Sequence, residues 1–297
     1  MNVYEIVTEQ IVKMLEVGTV PWRKPWASLE AATPRNAVSR KPYRGINVFM
    51  LNATKYASPY WLTYRQADEV GGHVREGEKS TMVVFWKVDR KRDPDARDGE
   101  VSSADRDRFI LRYYRVFNVE QCELPAEFLA KLPKPAEREL NSVEAIADCS
   151  RIIENMPRRP AMSTGKAAYY MPRHDEVTLP ERELFRDGAE YYSTAFHELT
   201  HSTGHESRLN RDGVMGVHRF GDMDYSKEEL VAEMGSAFLC AEGGISPRVI
   251  DNQAAYIASW LRKFRDDKKM IVLAAAQAQK AADFILDRKF GADSDSE

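Results

Sequence analysis

Apolar residues recur at spacings of three and four between Glu5 and Val17, where Ile6, Val7, Ile11, Met14 and Leu15 form one stripe. The spacing predicts an amphipathic helix, and Gly18 sits where such a helix stops. The pattern then breaks at Pro21-Trp22-Arg23-Lys24-Pro25-Trp26 and stays irregular to Asn47, because proline lacks a backbone donor and restricts the residue before it. Phe49 to Lys55 and Thr63 to Val70 read as short helices. Thr81 to Val88, rich in Val, Phe and Trp, predicts a strand, and Phe109 to Asn118, with Tyr113, Tyr114, Val116 and Phe117, predicts its antiparallel return. Between them Asp89 to Arg108 is almost wholly charged and polar, the composition of an exposed hairpin tip or insertion, and it fits no motif.

Pro125, Pro133 and Pro135 punctuate the stretch from Leu124 to Leu140, which reads as a linker. Asn141 or Ser142 then caps a helix over Glu144 to Ile153. Tyr169 to Met171 and Val177 to Leu179 alternate around a His174-Asp175 turn as paired short strands. Helices are expected over Ser193 to His205, Ser226 to Glu242, Asp251 to Phe264 and Lys268 to Phe290. The expected organisation is α+β in two domains: residues 1–124, a Pro-rich linker at 125–141, a helix-dominated second domain at 142–290 and an acidic tail at 291–297. No internal repeat is visible.

Composition adds boundaries to this picture. With 43% hydrophobic and 30% charged residues among 297, the chain is neither disordered nor membrane-spanning. Met1 to Gly18 lacks the basic start and apolar core of a signal peptide, so a cytoplasmic protein with no membrane partner is the expectation. Cys122, Cys149 and Cys240, odd in number and far apart, make no disulfide frame and read as buried small hydrophobes. The net charge of −3 averages two opposed parts. Met1 to Arg92 holds 15 Lys or Arg and 9 Asp or Glu, a balance of plus six, and the remaining 28 basic and 37 acidic residues leave minus nine. Such an asymmetry implies different partners for the two parts.

The strongest chemical signal is His197-Glu198-Leu199-Thr200-His201. Residues four apart share a helix face, so both histidines can bind one metal ion while Glu198 acts as general base on a water. A third ligand is needed. His205 is collinear with the other two on a straight helix, and the metzincin spacing falls on Ser207, which excludes that class. His218 in a loop and the acidic helix around Glu228 remain. On that helix Glu229 and Glu233 are four apart, and the assignment adopted is Glu229 as ligand with Glu233 orienting a ligating histidine, the reverse being the main alternative. Tyr192, one to two turns before His197, is a candidate for the oxyanion of a tetrahedral intermediate, with core packing as the competing role.

The basic first third interleaves aromatic and cationic residues. Trp22, Trp26, Tyr43, Tyr60, Trp61, Tyr64 and Trp86 alternate with Arg23, Lys24, Arg35, Arg44, Arg65 and Lys79 among others, while Asn36 and Asn47 offer polar groups to base edges or sugars. Rings that stack on bases and cations that track phosphates hold single-stranded DNA without sequence preference. The same aromatics are also what a domain of this size builds its core from. Gly71, Gly72, Gly77 and Lys79 do not make a phosphate loop, because no G-x-x-x-x-G-K-[ST] occurs.

Phe196 to His205, followed by Arg208-Leu209-Asn210-Arg211 and Glu228-Glu229-Leu230-Val231-Ala232-Glu233, resembles the zincin-type metallopeptidase domain of plasmid antirestriction proteins of the ArdC type, over Ser142 to about Phe290. Val20 to Trp26, Tyr43 to Asn47, Trp61 to Ala67 and Gly71 to Lys79 resemble the amino-terminal domain that this family shares with certain plasmid primases. The resemblance implies a gluzincin-like site holding one divalent ion, zinc with manganese as the alternative, and a first domain that binds single-stranded DNA. It implies protection of DNA entering by conjugation from host restriction endonucleases, and an unidentified protein substrate for the second domain. It further implies that Val177 to Leu179 is an edge strand along which a peptide lies.

Overall fold

The computed structural model describes residues 2–23, 33–89, 108–133, 139–211, 214, 223–247 and 252–289. Its helices are α1 (Val3–Glu16), α2 (Ile46–Asn52), α3 (Tyr64–Glu69), α4 (Ala126–Ala130), α5 (Val143–Glu154), α6 (Gly188–Ser202), α7 (Met223–Gly243), α8 (Gln253–Asp266) and α9 (Met270–Ile285). Its strands are β1 (Arg35–Asn36), β2 (Tyr60–Thr63), β3 (His73–Val74), β4 (Thr81–Asp89), β5 (Arg108–Asn118), β6 (Cys122–Glu123), β7 (Ala161–Thr164), β8 (Tyr169–Met171) and β9 (Glu176–Leu179). The architecture is α+β in two domains. No helix among the described residues is long and apolar enough to cross a membrane.

The first domain is built on a four-stranded sheet of order β1-β2-β5-β4, with β3 and β6 paired separately. Strands β4 and β5 pair antiparallel with Val88 opposite Phe109, so the expected return strand is present and in register. Both faces of β4 are covered: Met82 and Val84 join one core while Val83 joins another with Trp61 and Tyr43. Burial on two sides explains why the strand reads as a continuous apolar run rather than an alternation.

In the second domain α6 packs on α7, α7 on α9, and a three-stranded sheet of order β7-β9-β8 lies against α6. Strand β7 escapes the sequence pattern because Ala161-Met162-Ser163-Thr164 is short and not amphipathic. It pairs parallel with β9, while β8 pairs antiparallel on the other side. The expected edge strand is therefore corrected: Val177 to Leu179 is the middle strand, and its backbone is already paired on both sides. Helix α6 begins five residues earlier than Ser193, at Gly188, because the Asp187 side chain caps the Glu190 amide at 2.8 Å.

The two domains do not stand apart. The α1 stripe Val7, Ile11 and Leu15 is fully buried in one hydrophobic cluster with Trp22, Phe49, Phe238, Trp260 and Phe264. Phe49 of α2 stacks on Phe238 of α7 at 4.7 Å between ring centroids, and Trp22 meets Trp260 and Phe264 edge-on at 6.3 and 6.2 Å. Thr8 donates to the Lys268 carbonyl at 2.6 Å, and the Gly45 amide to Gln279 at 3.1 Å. The stretch expected to be a linker is folded in its described part: Phe128 and Leu132 pack around Tyr60 and Val119, and the Tyr60 hydroxyl donates to the Pro133 carbonyl at 2.7 Å. All three cysteines are free and buried, with Cys122 and Cys240 pushed by burial up to about 11 and Cys149 to about 12.

Arg208, whose side chain is 1% exposed, ties the end of α6 to the β8–β9 turn. It donates to the Ser202 carbonyl at 2.8 Å and to Asp175 Oδ2 at 3.0 Å. Burial by itself raises the Asp175 carboxyl, but the hydrogen bonds and charge of Arg208, with Tyr170, outweigh it and hold the group below the usual aspartate value. The stabilisation is therefore complete above that usual value and is lost as pH falls through the lowered one.

Two outcomes follow from this packing. Unfolding of the whole chain in urea, followed by tryptophan fluorescence and far-ultraviolet circular dichroism, is one coincident transition, and Trp22→Ala lowers its free energy by about 3–5 kcal/mol. Arg208→Ala costs roughly 3 kcal/mol at neutral pH, and the deficit narrows as pH falls through the lowered Asp175 value and the carboxyl protonates.

Candidate metal centre and the cavity around it

Helices α6 and α7 approach closely at Gly235, where a β-carbon would sit 2.5 Å from Thr200 Cγ2. That approach brings Glu229, on α7, against the histidines of α6. Glu229 Oε1 lies 3.1 Å from His197 Nε2 and Oε2 lies 3.8 Å from His201 Nε2, while the two Nε2 atoms are 3.2 Å apart. One ligand atom from each of the three lies within 4.8 Å of the others. Two His nitrogens and a carboxylate this close together are the donor set that a divalent cation takes in a hydrolytic site, so the residues fit such an ion.

Glu228, not Glu233, supports a histidine. His201 Nδ1 lies 3.3 Å from Glu228 Oε1, and Arg211 donates to Glu228 Oε2 from Nε at 3.0 Å. Arg211 also donates to Thr203 Oγ1 at 2.6 Å and to the Thr200 carbonyl at 2.9 Å, so it staples the end of α6 to α7. Burial opposes ionisation of Glu228, yet the hydrogen bonds from His201 and Arg211 hold its carboxyl below the usual range. An ionised Glu228 accepts the Nδ1 hydrogen of His201, which leaves Nε2 as the lone pair facing the cluster. Burial lowers the basicity of His201, but Glu228 and Glu229 outweigh it and raise the value.

Glu233 instead faces the first domain. Its Oε2 accepts from Trp22 Nε1 at 3.0 Å and from the Tyr256 hydroxyl, and lies 3.5 Å from Arg23 Nη2. Arg23 also stacks on the Tyr256 ring at 5.2 Å. Burial and the Glu233 charge push the Tyr256 phenol far above its ordinary value, so it stays a donor. Helical spacing alone could not separate Glu228 from Glu233, because the partner that claims Glu233 lies 211 residues away.

A cavity of about 370 Å³ opens on this cluster, lined by His197, Glu198, Glu229 and Glu233 together with Trp22 and Arg23. The first domain thus supplies part of its wall. Glu198 is buried in that wall, and its side chain makes no hydrogen bond among the described residues. Tyr192 is corrected: its hydroxyl pairs with Ser150 and its ring packs against Tyr191 and Phe196, away from the cavity lining. Ala168, next to edge strand β8, does reach the cavity.

Several of the proposed DNA contacts are structural. Trp22 and Tyr43 are buried, and a buried ring has no face to offer a base. Asn36 accepts from the Val38 and Ser39 amides, both at 2.9 Å, and Asn47 exchanges two 2.7 Å hydrogen bonds with the Val84 backbone. Arg23 and Arg44 pair with Glu233 and Asp283 of the second domain. Arg35 donates to the Arg40 carbonyl at 3.2 Å, Arg65 is exposed beside Glu69, and Lys79 is exposed. Lys24, Trp26 and His218 lie outside the described residues. Exposed aromatics are found instead at Tyr64, Tyr113 and Tyr114, at 57%, 46% and 40%. The last two lie on the return strand read from the sequence, opposite Val84 and Val83 of β4 and past the end of the β2 pairing.

The two acidic neighbours of Glu229 are separable by experiment. Glu228→Gln weakens divalent-metal affinity about 10- to 100-fold in competition with a chromophoric chelator. Glu233→Gln leaves that affinity essentially unchanged.

Comparison with known proteins matches residues 1–117 to the N-terminal domain of anti-restriction factor ArdC and residues 148–277 to a zincin-like metallopeptidase. The crystal structure of the antirestriction protein ArdC from plasmid R388, without metal, is 37% identical, with a TM-score of 0.72 over 96% of this chain and 97% of that one. Its Mn(II)-bound structure gives the same score over 97% and 98%. An uncharacterized protein, y4eC, of Sinorhizobium fredii is 38% identical across 96% of this chain and 91% of its own length. The DNA primase TraC of Escherichia coli is 37% identical across 95% of this chain, which spans only 20% of that primase. With both domains matched in this order, and y4eC matched at 38% identity over 91% of its length, the chain belongs to the ArdC family, whose second domain is a zincin-like fold that takes a divalent metal.

Proposed function

We propose that this protein binds single-stranded DNA entering a cell by conjugation and protects it from restriction endonucleases, and that its second domain is a metal-dependent peptidase. The observation that carries the reading is the cluster of His197, His201 and Glu229, which with Glu198 borders one cavity through His197, Glu198 and Glu229, a cavity walled partly by the first domain. Membership of the ArdC family and similarity to a DNA primase support the DNA partner. Zinc is the preferred ion because His₂Glu is a common hydrolytic zinc set, and the Mn(II)-bound relative keeps manganese as the competitor.

An ion held by His197, His201 and Glu229 supplies Lewis-acid polarisation and a lower water pKa. Glu198, unpaired in the cavity wall, accepts a proton from an attacking water and delivers it to the leaving amine nitrogen. Glu228 and Arg211 keep His201 in one tautomer and one orientation. The Trp22–Arg23 arm narrows the approach to the cluster.

A second reading, a DNA-activated protease that cleaves a host protein or a DNA–protein crosslink, is favoured by one observation: the DNA-type domain reaches the peptidase cavity through Trp22 and Arg23.

Glu198→Gln keeps metal and oligonucleotide binding and loses about 10²- to 10⁴-fold in peptide cleavage, measured on a casein-type substrate with and without single-stranded DNA. In mating assays the parent raises plasmid transfer into restricting recipients and not into non-restricting ones. Equal transfer with and without the gene removes the antirestriction reading. If Glu198→Gln abolishes protection while DNA affinity is intact, shielding alone is insufficient and the protease reading prevails.

A further inference from the structure

A second cavity, of about 570 Å³, lies where the two domains meet. One wall is the outer edge of β4, where Phe85 and Trp86 turn to opposite faces of the strand, and the segment from Lys41 to Asn47; the other is the face of α9 that carries Leu273, Ala276 and Lys280. Among the described residues its lining includes Lys41, Arg44 and Lys280 and no Asp or Glu. That is a local reversal in a chain where 46 carboxylates outnumber 43 basic groups. Arg44 is held by Asp283 behind the wall. Lys41 and Lys280, one from each domain, are exposed and have no carboxylate partner among the described residues.

The apolar part of the cleft continues onto the sheet. Tyr43, Phe85 and Tyr114 form a run of rings with centroids 6.1 and 5.6 Å apart, leading from the buried end at Tyr43 to exposed Tyr114. Arg112, opposite Phe85 in the β4–β5 ladder, is exposed beside them. Rings with cations on both flanks and no anion suit a flexible polyanion with flat apolar side groups. A duplex hides its base faces in the stack, so a two-walled slot of this kind selects unpaired bases. A neutral apolar peptide would leave the cations unanswered.

We infer that this interdomain cleft is a single-stranded DNA site, in which unpaired bases lodge between Phe85 and Trp86 on one side and Leu273 and Ala276 of α9 on the other, with phosphates on Lys41 and Lys280. The inference rests on the single-stranded DNA reading above and deepens it, because it assigns part of the DNA surface to the peptidase domain. The first domain alone then holds an incomplete site.

The test uses the full, metal-loaded chain and a fluorescein-labelled oligothymidylate of about 16 nucleotides, read by anisotropy across a salt series. Leu273→Glu weakens binding about tenfold or more, the effect of removing one stacking wall and adding a negative charge. Lys280→Glu weakens it and lowers the slope of log affinity against log salt by about 0.7, one phosphate contact. Val143→Glu makes the same kind of change at an exposed residue elsewhere in the second domain and leaves affinity unchanged. Unaltered metal affinity and melting temperature in each variant show that the fold is kept; if Leu273→Glu fails this check, Lys280→Glu decides. Parent-like binding by Leu273→Glu and Lys280→Glu overturns the cleft while the DNA reading stands. Absence of oligonucleotide binding by the parent removes the DNA reading and the cleft with it. Equal competition by duplex, or displacement of a hydrophobic dye from the cleft by apolar peptide but not by oligonucleotide, also overturns the inference.

Discussion

One buried carboxylate, Glu233, fixes how the two domains meet. It lies one turn beyond Glu229 on α7 and is approached from the first domain by the Trp22 indole and the Arg23 guanidinium, and from α8 by the Tyr256 hydroxyl. An anion out of water is tolerable only when its lone pairs are answered, and here two of the three donors come from a segment more than 200 positions away. The helix that presents Glu229, the candidate third ligand, is therefore the same helix that anchors the first domain. Any shift of Trp22 and Arg23 is a shift of the cavity wall, because both residues line it.

The surroundings of the site make four glutamates chemically distinct. Glu228 is answered by Arg211 and His201 and stays ionised; Glu233 is answered by Arg23, Trp22 and Tyr256; Glu229 faces both histidine Nε2 atoms; the Glu198 side chain makes no hydrogen bond among the described residues. Partners rather than residue type assign the roles, and the one left without a partner, beside the ligands, is suited to carry a proton. The two arginines after α6 are part of the same logic. Arg208 ties the helix end to the β8–β9 turn and Arg211 ties it to α7, so the ligand-bearing turn is held from two sides.

Local patterns were legible in the sequence wherever a local rule produced them. The α1 stripe, the β4–β5 pair, the Ser142 cap of α5 and the hairpin turn at His174-Asp175 follow from spacing and capping chemistry that involve neighbours only. The three candidate ligands converge because i, i+4 spacing puts two on one face and a second acidic helix supplies the third. What stayed hidden depends on distant partners. Glu233 could not be told from Glu228 without Trp22 and Arg211, β7 has no pattern apart from its pairing with β9, and Trp22 reads as a stacking residue until α8 is seen to cover it. Asn36 and Asn47 look like groups for a ligand and instead complete the backbone of a turn and of an edge strand.

The charge asymmetry between the first third and the remainder acquires a different meaning from these contacts. A polyanion meets a surface, not an interval of sequence. Arg23 and Arg44, basic residues of the first domain, are answered by Glu233 and Asp283 of the second, so part of the positive excess and part of the negative excess cancel at the interface and hold the domains together. The cations that remain outside it, Lys41 and Arg112 among them, face the same solvent as Lys280 of the acidic part. Opposed charge along this chain therefore reports attraction between its own domains as well as an external partner, and a basic residue becomes a candidate for DNA only once its carboxylate has been looked for on the other side.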